Sequence, residues 1–109
     1  MTWVYLLLAI GAEVIGTLSL KASDGLSKLP FVGLTAVGYA VSFYFLAIVL
    51  RSFPVGLAYA VWSGAGVAVV TVAGALLFGD RIDTAGFVGI SLIVCGVLVI
   101  NLFSSSVPH

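Results

Sequence analysis

One acidic side chain, Glu13, stands near the middle of an apolar run of about eighteen residues, 3–20. At the centre of a membrane helix an acid costs about 2.5–3.5 kcal/mol, while each aliphatic residue returns about 0.3–0.6 kcal/mol. The run holds nine Val, Leu and Ile residues, so insertion stays favourable, but the acid needs a reason to be there. No lysine, arginine or histidine lies at comparable depth to pair with it. An acid at midplane without a countercharge binds a cation or carries a proton. The structural alternative is an acid kept neutral or hydrogen-bonded to a neighbouring helix as glue. Because hydrocarbon penalises the charge, the proton-loaded form is the cheaper resting state.

Helical spacing gives Glu13 company. Ile10, Gly16, Thr17 and Leu20 fall on or beside its face at three-, four- and seven-residue intervals, leaving small residues where a ligand or another helix could approach. Tyr39 and Ser42 share a face of the next run. Tyr59, Trp62, Ser63 and Gly66 do so in the third, at i, i+3, i+4 and i+7. Two rings and a hydroxyl on one side of a helix suit an apolar cation: the rings attract it by cation–π contact and the hydroxyls orient the acid. Ordinary interfacial aromatics account for Trp3 and Tyr5, but fit Tyr59 and Trp62 less well, several residues inside their run. Gly64-Ala65-Gly66 offers either a bending point for alternating access, at Gly64 and Gly66, or plain close packing. In the last run Gly86, Gly89, Ile93, Gly96 and Ile100 make a small-residue seam suited to helix association in lipid.

Four apolar stretches must position these groups: residues 3–20, 31–50, 55–78 and 84–103. Each is close to the roughly 20 residues needed to cross a bilayer. They lack the period-two alternation of a barrel strand, and a helix satisfies its own backbone in lipid. The expected fold is therefore an all-α membrane protein, one transmembrane domain over residues 1–109 with four helices. The connections at 21–30, 51–54 and 79–83 are short and carry turn-forming or polar residues, which implies antiparallel neighbours. Pro30 and Pro54 mark helix starts.

Composition excludes much else. The chain is 62% hydrophobic and 7% charged, with four basic and four acidic side chains, which argues against a water-soluble domain, a nucleic-acid partner or a basic membrane-surface patch. The single cysteine, Cys95, sits in an apolar run, permits no internal disulfide and offers no metal cluster. No phosphate loop, dinucleotide loop or serine–histidine pair is present, so neither an enzyme nor a cofactor is expected. The N-terminus, with no basic residue before its apolar run and Glu13 within it, reads as a retained helix rather than a cleaved signal. The tail 104–109 is polar, and His109 reads as surface decoration.

The segments Ala12-Glu13-Val14-Ile15-Gly16-Thr17, then Lys21, then Pro54-Val55-Gly56-Leu57-Ala58-Tyr59-Ala60-Val61-Trp62-Ser63-Gly64, and later Gly89, Leu92-Ile93, Gly96-Val97 and Asn101-Leu102 closely resemble the small multidrug resistance family. The likeness runs along essentially the whole chain. It implies a multi-pass protein of the bacterial inner membrane that exports toxic lipophilic cations, such as quaternary ammonium compounds, in exchange for protons. It further implies an antiparallel homodimer of eight helices with two copies of the acid at one shared site. Carried onto matching positions, Glu13 would bind proton and substrate in turn, with Trp62, Tyr59, Tyr39, Ser42 and Ser63 lining the pocket. Gly89, Leu92, Ile93, Gly96 and Val97 would form the dimer seam. The guanidinium-exporting branch typically has tryptophan in place of Gly16 and lysine in place of Asn101, so both positions match the polyaromatic-cation branch. Leu29-Pro30-Phe31, where close relatives carry a Trp-Pro pair, and Arg51, in a loop often neutral in relatives, are departures.

Two other readings remain open on sequence: export of a small metabolite cation such as guanidinium, and a non-transporting membrane helper in which Glu13 locks a partner helix. Topology adds one expectation. With four helices Lys21, Lys28 and Arg81 fall on one side, against Arg51 and the amino terminus on the other. So small a bias permits insertion in both orientations.

Overall fold

The computed structural model describes residues 2–107, and the expectation for His109 lies outside them. They form four helices: α1 Thr2–Ala22, α2 Leu29–Val49, α3 Val55–Phe78 and α4 Thr84–Phe103. All four are long and apolar enough to cross a membrane, and no strand occurs among the described residues. The first two helix ends depart from the hydropathy reading. α1 runs on through Lys21 and Ala22, because a helix needs continuous backbone hydrogen bonds rather than apolar side chains, and a lysine at its end can extend its amine toward water. α2 begins at Leu29 with Pro30 inside its first turn, where a missing N–H costs nothing.

The chain divides into two compact units, one ending at Arg51 and the other starting at Ser52. The first is the α1–α2 hairpin. Its turn is organised by Ser23, fully buried, whose hydroxyl donates to the Leu20 carbonyl at 2.6 Å and accepts from Leu26 N–H at 3.1 Å. Asp24, Gly25 and Leu26 follow in left-handed conformation, φ 50°, 70° and 71°. Such a conformation at a leucine costs of order 1–3 kcal/mol and persists only where neighbours impose it; the Ser23 bonds supply that constraint.

The two helices then cross at very short range. A Cβ on Gly38 would lie 2.8 Å from the Ala12 carbonyl oxygen and 3.0 Å from Gly16 Cα. Only glycine lets the backbones approach this closely. The buried residues of α2 include Thr35, Gly38 and Ser42, small side chains at three- and four-residue intervals. Opposite them α1 buries Leu6, Ala9, Ile10, Val14 and Gly16. Contacts on either side of the crossing run in opposite order along the two helices, as an antiparallel pair requires. Tyr5 stacks on Phe45 with ring centroids 5.9 Å apart, and Ser42 donates to the Ala9 carbonyl at 2.7 Å.

The second unit is the α3–α4 hairpin. α3 ends on Gly79 in the left-handed conformation, φ 69°, where the Asp80 N–H bonds back to the Gly74 carbonyl. α4 starts on Asp83, whose carboxylate accepts from the Gly86 N–H at 2.7 Å. The helices meet at Gly64, where a Cβ would stand 2.6 Å from Val97 Cγ2 and 3.1 Å from Ile93 Cγ2. α4 has no buried residue along its length.

Candidate cation and proton site

Glu13 is half-buried in α1 and is the only acidic residue within any of the four helices. One turn on, Thr17 donates its hydroxyl to Glu13 Oε1 at 2.7 Å. The same Thr17 oxygen lies 2.9 Å from the Tyr39 hydroxyl of α2. The α1–α2 hairpin thus joins the acid of one helix to a phenol of the other through a single hydroxyl. What brings Tyr39 there is the glycine crossing. A Cβ on Gly16 would come within 2.9 Å of Tyr39 Cδ1, so the tyrosine ring occupies the space that any side chain at position 16 would need. Tyr39 also stacks on Phe43, centroids 6.4 Å apart.

Ser42, expected as a pocket-lining hydroxyl, is fully buried and spends its proton on the Ala9 carbonyl. It clamps α2 to α1 at the turn just before Glu13. In α3, Tyr59 and Trp62 form a ring pair with centroids 5.7 Å apart and planes tilted by 37°. Tyr59 is 62% exposed and Trp62 half-buried, with Ser63 beside it also half-buried. A pair so placed offers two π faces to a cation. α3 runs unbroken through Gly64-Ala65-Gly66, and Gly64 has a packing reason in its contacts with Ile93 and Val97 of α4.

The seam residues of α4 divide by surroundings. Gly89 and Gly96 face open space, with nothing within 4 Å of an added Cβ, and Leu92 is 68% exposed. Ile93 and Val97 lie beside them and reach Gly64 within the hairpin. Gly38 escaped the sequence reading although a signal existed: Thr35, Gly38 and Ser42 repeat the small-residue spacing that flagged α4. Thr17 stood out as a neighbour of Glu13, but its bridge to Tyr39 depends on the register between two helices, which spacing within one helix does not contain. No group of three or more potential metal ligands is present among the described residues.

Comparison with known proteins identifies the family. The family described as Small Multidrug Resistance protein matches residues 1–93. The chain is 50% identical over 107 residues to the quaternary ammonium compound-resistance protein QacE of Escherichia coli, covering 98% of this chain and 97% of that one. It is 46% identical over 108 residues to the multidrug transporter EmrE of Escherichia coli, with the same coverage. A putative ethidium bromide resistance protein of Salmonella typhimurium is 48% identical over 97 residues, 89% of this chain and 84% of its own. Four helices able to span a bilayer, together with these matches, make this a multi-pass membrane protein, and the chain belongs to the small multidrug resistance family.

Proposed function

We propose that the protein is an antiporter that exports lipophilic and quaternary ammonium cations from the bacterial cell across its inner membrane in exchange for protons. Glu13 binds proton and cation alternately. The observation that carries the reading is that α1–α4 contain one acid, half-buried and presented by a hydroxyl, while the sole basic residue within their bounds, Lys21, sits in the last turn of α1. Relatives named for resistance to quaternary ammonium compounds and ethidium support the substrate class. Since one carboxylate accepts either ligand, the two compete, and the linkage is reciprocal: cation binding expels protons and protons weaken cation binding.

The working unit in this reading is an antiparallel homodimer. Four helices are too few to enclose an aromatic cation and also shield the acid from lipid, whereas eight suffice. Tyr39, Tyr59, Trp62 and Ser63 line the cation's path, Ser42 holds the backbone beneath it, and Gly89, Leu92, Ile93, Gly96 and Val97 form the seam between copies.

The test is proton release. Ethidium added to the detergent-solubilised protein in weak buffer should acidify the solution, and liposomes containing the chain alone should move ethidium against its gradient when a pH gradient is imposed. Ethidium binding without proton release would overturn the exchange, leaving Glu13 as structural glue.

A further inference from the structure

Five hydroxyls on the helices dispose of their protons in two ways. Thr35, Thr71 and Ser91 donate to carbonyls four residues back in their own helices, and Ser42 donates to a carbonyl across the hairpin. Thr17 instead donates to a side chain, Glu13 Oε1. A hydroxyl has one proton. With that proton committed to Glu13, the 2.9 Å contact between Thr17 and Tyr39 has a single consistent direction, in which the Tyr39 hydroxyl donates to Thr17. The chain runs Tyr39 to Thr17 to the carboxylate.

Protonation of Glu13 reverses it. The carboxyl proton takes Thr17 Oγ1 as acceptor, Thr17 turns its own proton to Tyr39 Oη, and the Tyr39 proton swings out of the chain. Glu13 gains one proton, each hydroxyl keeps its own, and no heavy atom has to move. We propose that Thr17 and Tyr39 are positioning residues that tie the direction of the Tyr39 hydroxyl to the protonation state of Glu13, so that α2 registers whether α1 carries a proton. The proposal rests on the reading of Glu13 as the proton site. Gly16 and Gly38 are part of the device, since only their missing side chains let the Tyr39 ring lie against α1.

The other titratable groups of α1 and α2 stand apart from this chain. On α1, Tyr5 and Lys21 are each eight residues from Glu13, about 12 Å along the helix axis. On α2 the other titratable group is Tyr44, which is 66% exposed. A hydrogen bond to a carboxylate is roughly twice as strong as one between neutral groups. The Thr17 contact is therefore the strong link of the chain while Glu13 is ionised, and it is the link that protonation reverses.

Glu13 is the only glutamate in the sequence, so carboxyl-13C glutamate reports it alone. The experiment titrates that resonance in the full chain in lipid nanodiscs with no cation added. In the unaltered protein the Tyr39 Cζ resonance should move in step with the Glu13 carboxyl resonance as the pH is changed, a readout that needs no variant to fold. Thr17→Val should uncouple the two, leaving the Tyr39 resonance flat while the Glu13 resonance still responds, and Thr17→Ser should restore the coupling. A Tyr39 resonance indifferent to Glu13, or one that still follows it in Thr17→Val, overturns the proposal. With no cation present, the outcome is independent of ethidium exchange, whose failure would appear in the proton-release experiment instead.

Discussion

The α1–α2 hairpin turns two of its helical glycines, Gly16 and Gly38, onto the helix crossing, whereas α4 turns two of its own, Gly89 and Gly96, outward. At Gly38 and Gly16 an added Cβ would meet backbone or the Tyr39 ring at 3.0 Å or less, while at Gly89 and Gly96 it would meet nothing within 4 Å. The same residue type thus does two jobs. Inward glycines fix a crossing, and through it the register that places Tyr39 on Thr17. Outward glycines leave a groove in a helix that buries none of its own residues. In lipid, where apolar side chains gain nothing by leaving the surroundings, such a groove is where a second backbone can pack closely. The polar chemistry belongs to the first hairpin, and the second offers an aromatic pair and an unfilled face.

The sharpest way to break this division is at the acid itself. Glu13→Gln keeps shape and the Thr17 contact but removes the charge, so ethidium binding should be poor at every pH and coupled uptake into liposomes should fall to the level of protein-free vesicles. Glu13→Asp retains the charge on a shorter arm, out of reach of the present Thr17 position; binding should persist with altered pH dependence, and transport should be inefficient. Full exchange by Glu13→Gln would assign the chemistry to the second hairpin.

A matched pair of glycine substitutions tests the packing contrast. Gly38→Leu forces side-chain atoms against the Ala12 carbonyl and Gly16, and overpacking of this kind costs about 1–3 kcal/mol, read as a lowered denaturation midpoint of the monomer. Gly89→Leu meets open space, so the fold should change by no more than about 0.5 kcal/mol. Its effect should appear in crosslinking or sedimentation as loss of the dimer, and transport should be lost with it; Gly96→Leu should behave likewise. A Gly89→Leu chain that dimerises and transports normally would remove α4 from the interface.

How much of this was legible in the sequence follows from what hydropathy and spacing can encode. The four helices were readable because lipid forces about 20 apolar residues into each span, and proline and glycine punctuate the joins. The acid was readable because nothing else in the spans is charged. Helix ends were less so: Lys21 and Ala22 look like loop by composition but continue the backbone bonds of α1. The Tyr39–Thr17 contact was not readable at all. It needs the register of α2 on α1, set by the Gly38 crossing and the Ser42–Ala9 bond, and periodicity in one helix says which face a residue occupies but not which residue stands opposite. Ser42 shows the same limit from the other side, since its shared face with Tyr39 suggested the pocket while its proton goes to a backbone carbonyl.

The connections at the hairpin turns allow a milder test. Lys21 and Lys28 flank one turn and Arg81 lies in the other, against Arg51 between the hairpins. With the amino terminus added on the Arg51 side the bias is small, so single cysteines placed in 51–54 and in 79–83, after replacement of Cys95, should each be labelled from both sides of the membrane. Labelling from one side alone would contradict an antiparallel pair of identical chains.

The smallest expected effect separates two serines. Ser42, buried, donates to the Ala9 carbonyl across the hairpin at 2.7 Å, and Ser91, exposed, donates to Phe87 in its own helix at 2.8 Å. Ala9 already receives a backbone bond from Glu13 N–H in the helical ladder of α1, so Ser42→Ala leaves no orphaned acceptor. It should cost only the average worth of an interhelical bond in a membrane, about 0.6 kcal/mol. Ser91→Ala should be indistinguishable from wild type. The stability difference is small, but Ala9 precedes Glu13 by one turn and Tyr39 precedes Ser42 by one turn, so loosening the Ser42 clamp lets α2 slide against α1. Ser42→Ala should therefore broaden the Tyr39 Cζ resonance, as several registers of the Tyr39–Thr17 contact coexist, whereas Ser91→Ala should leave it unchanged. Equal line widths for the two variants would mean that the glycine crossing alone holds the register.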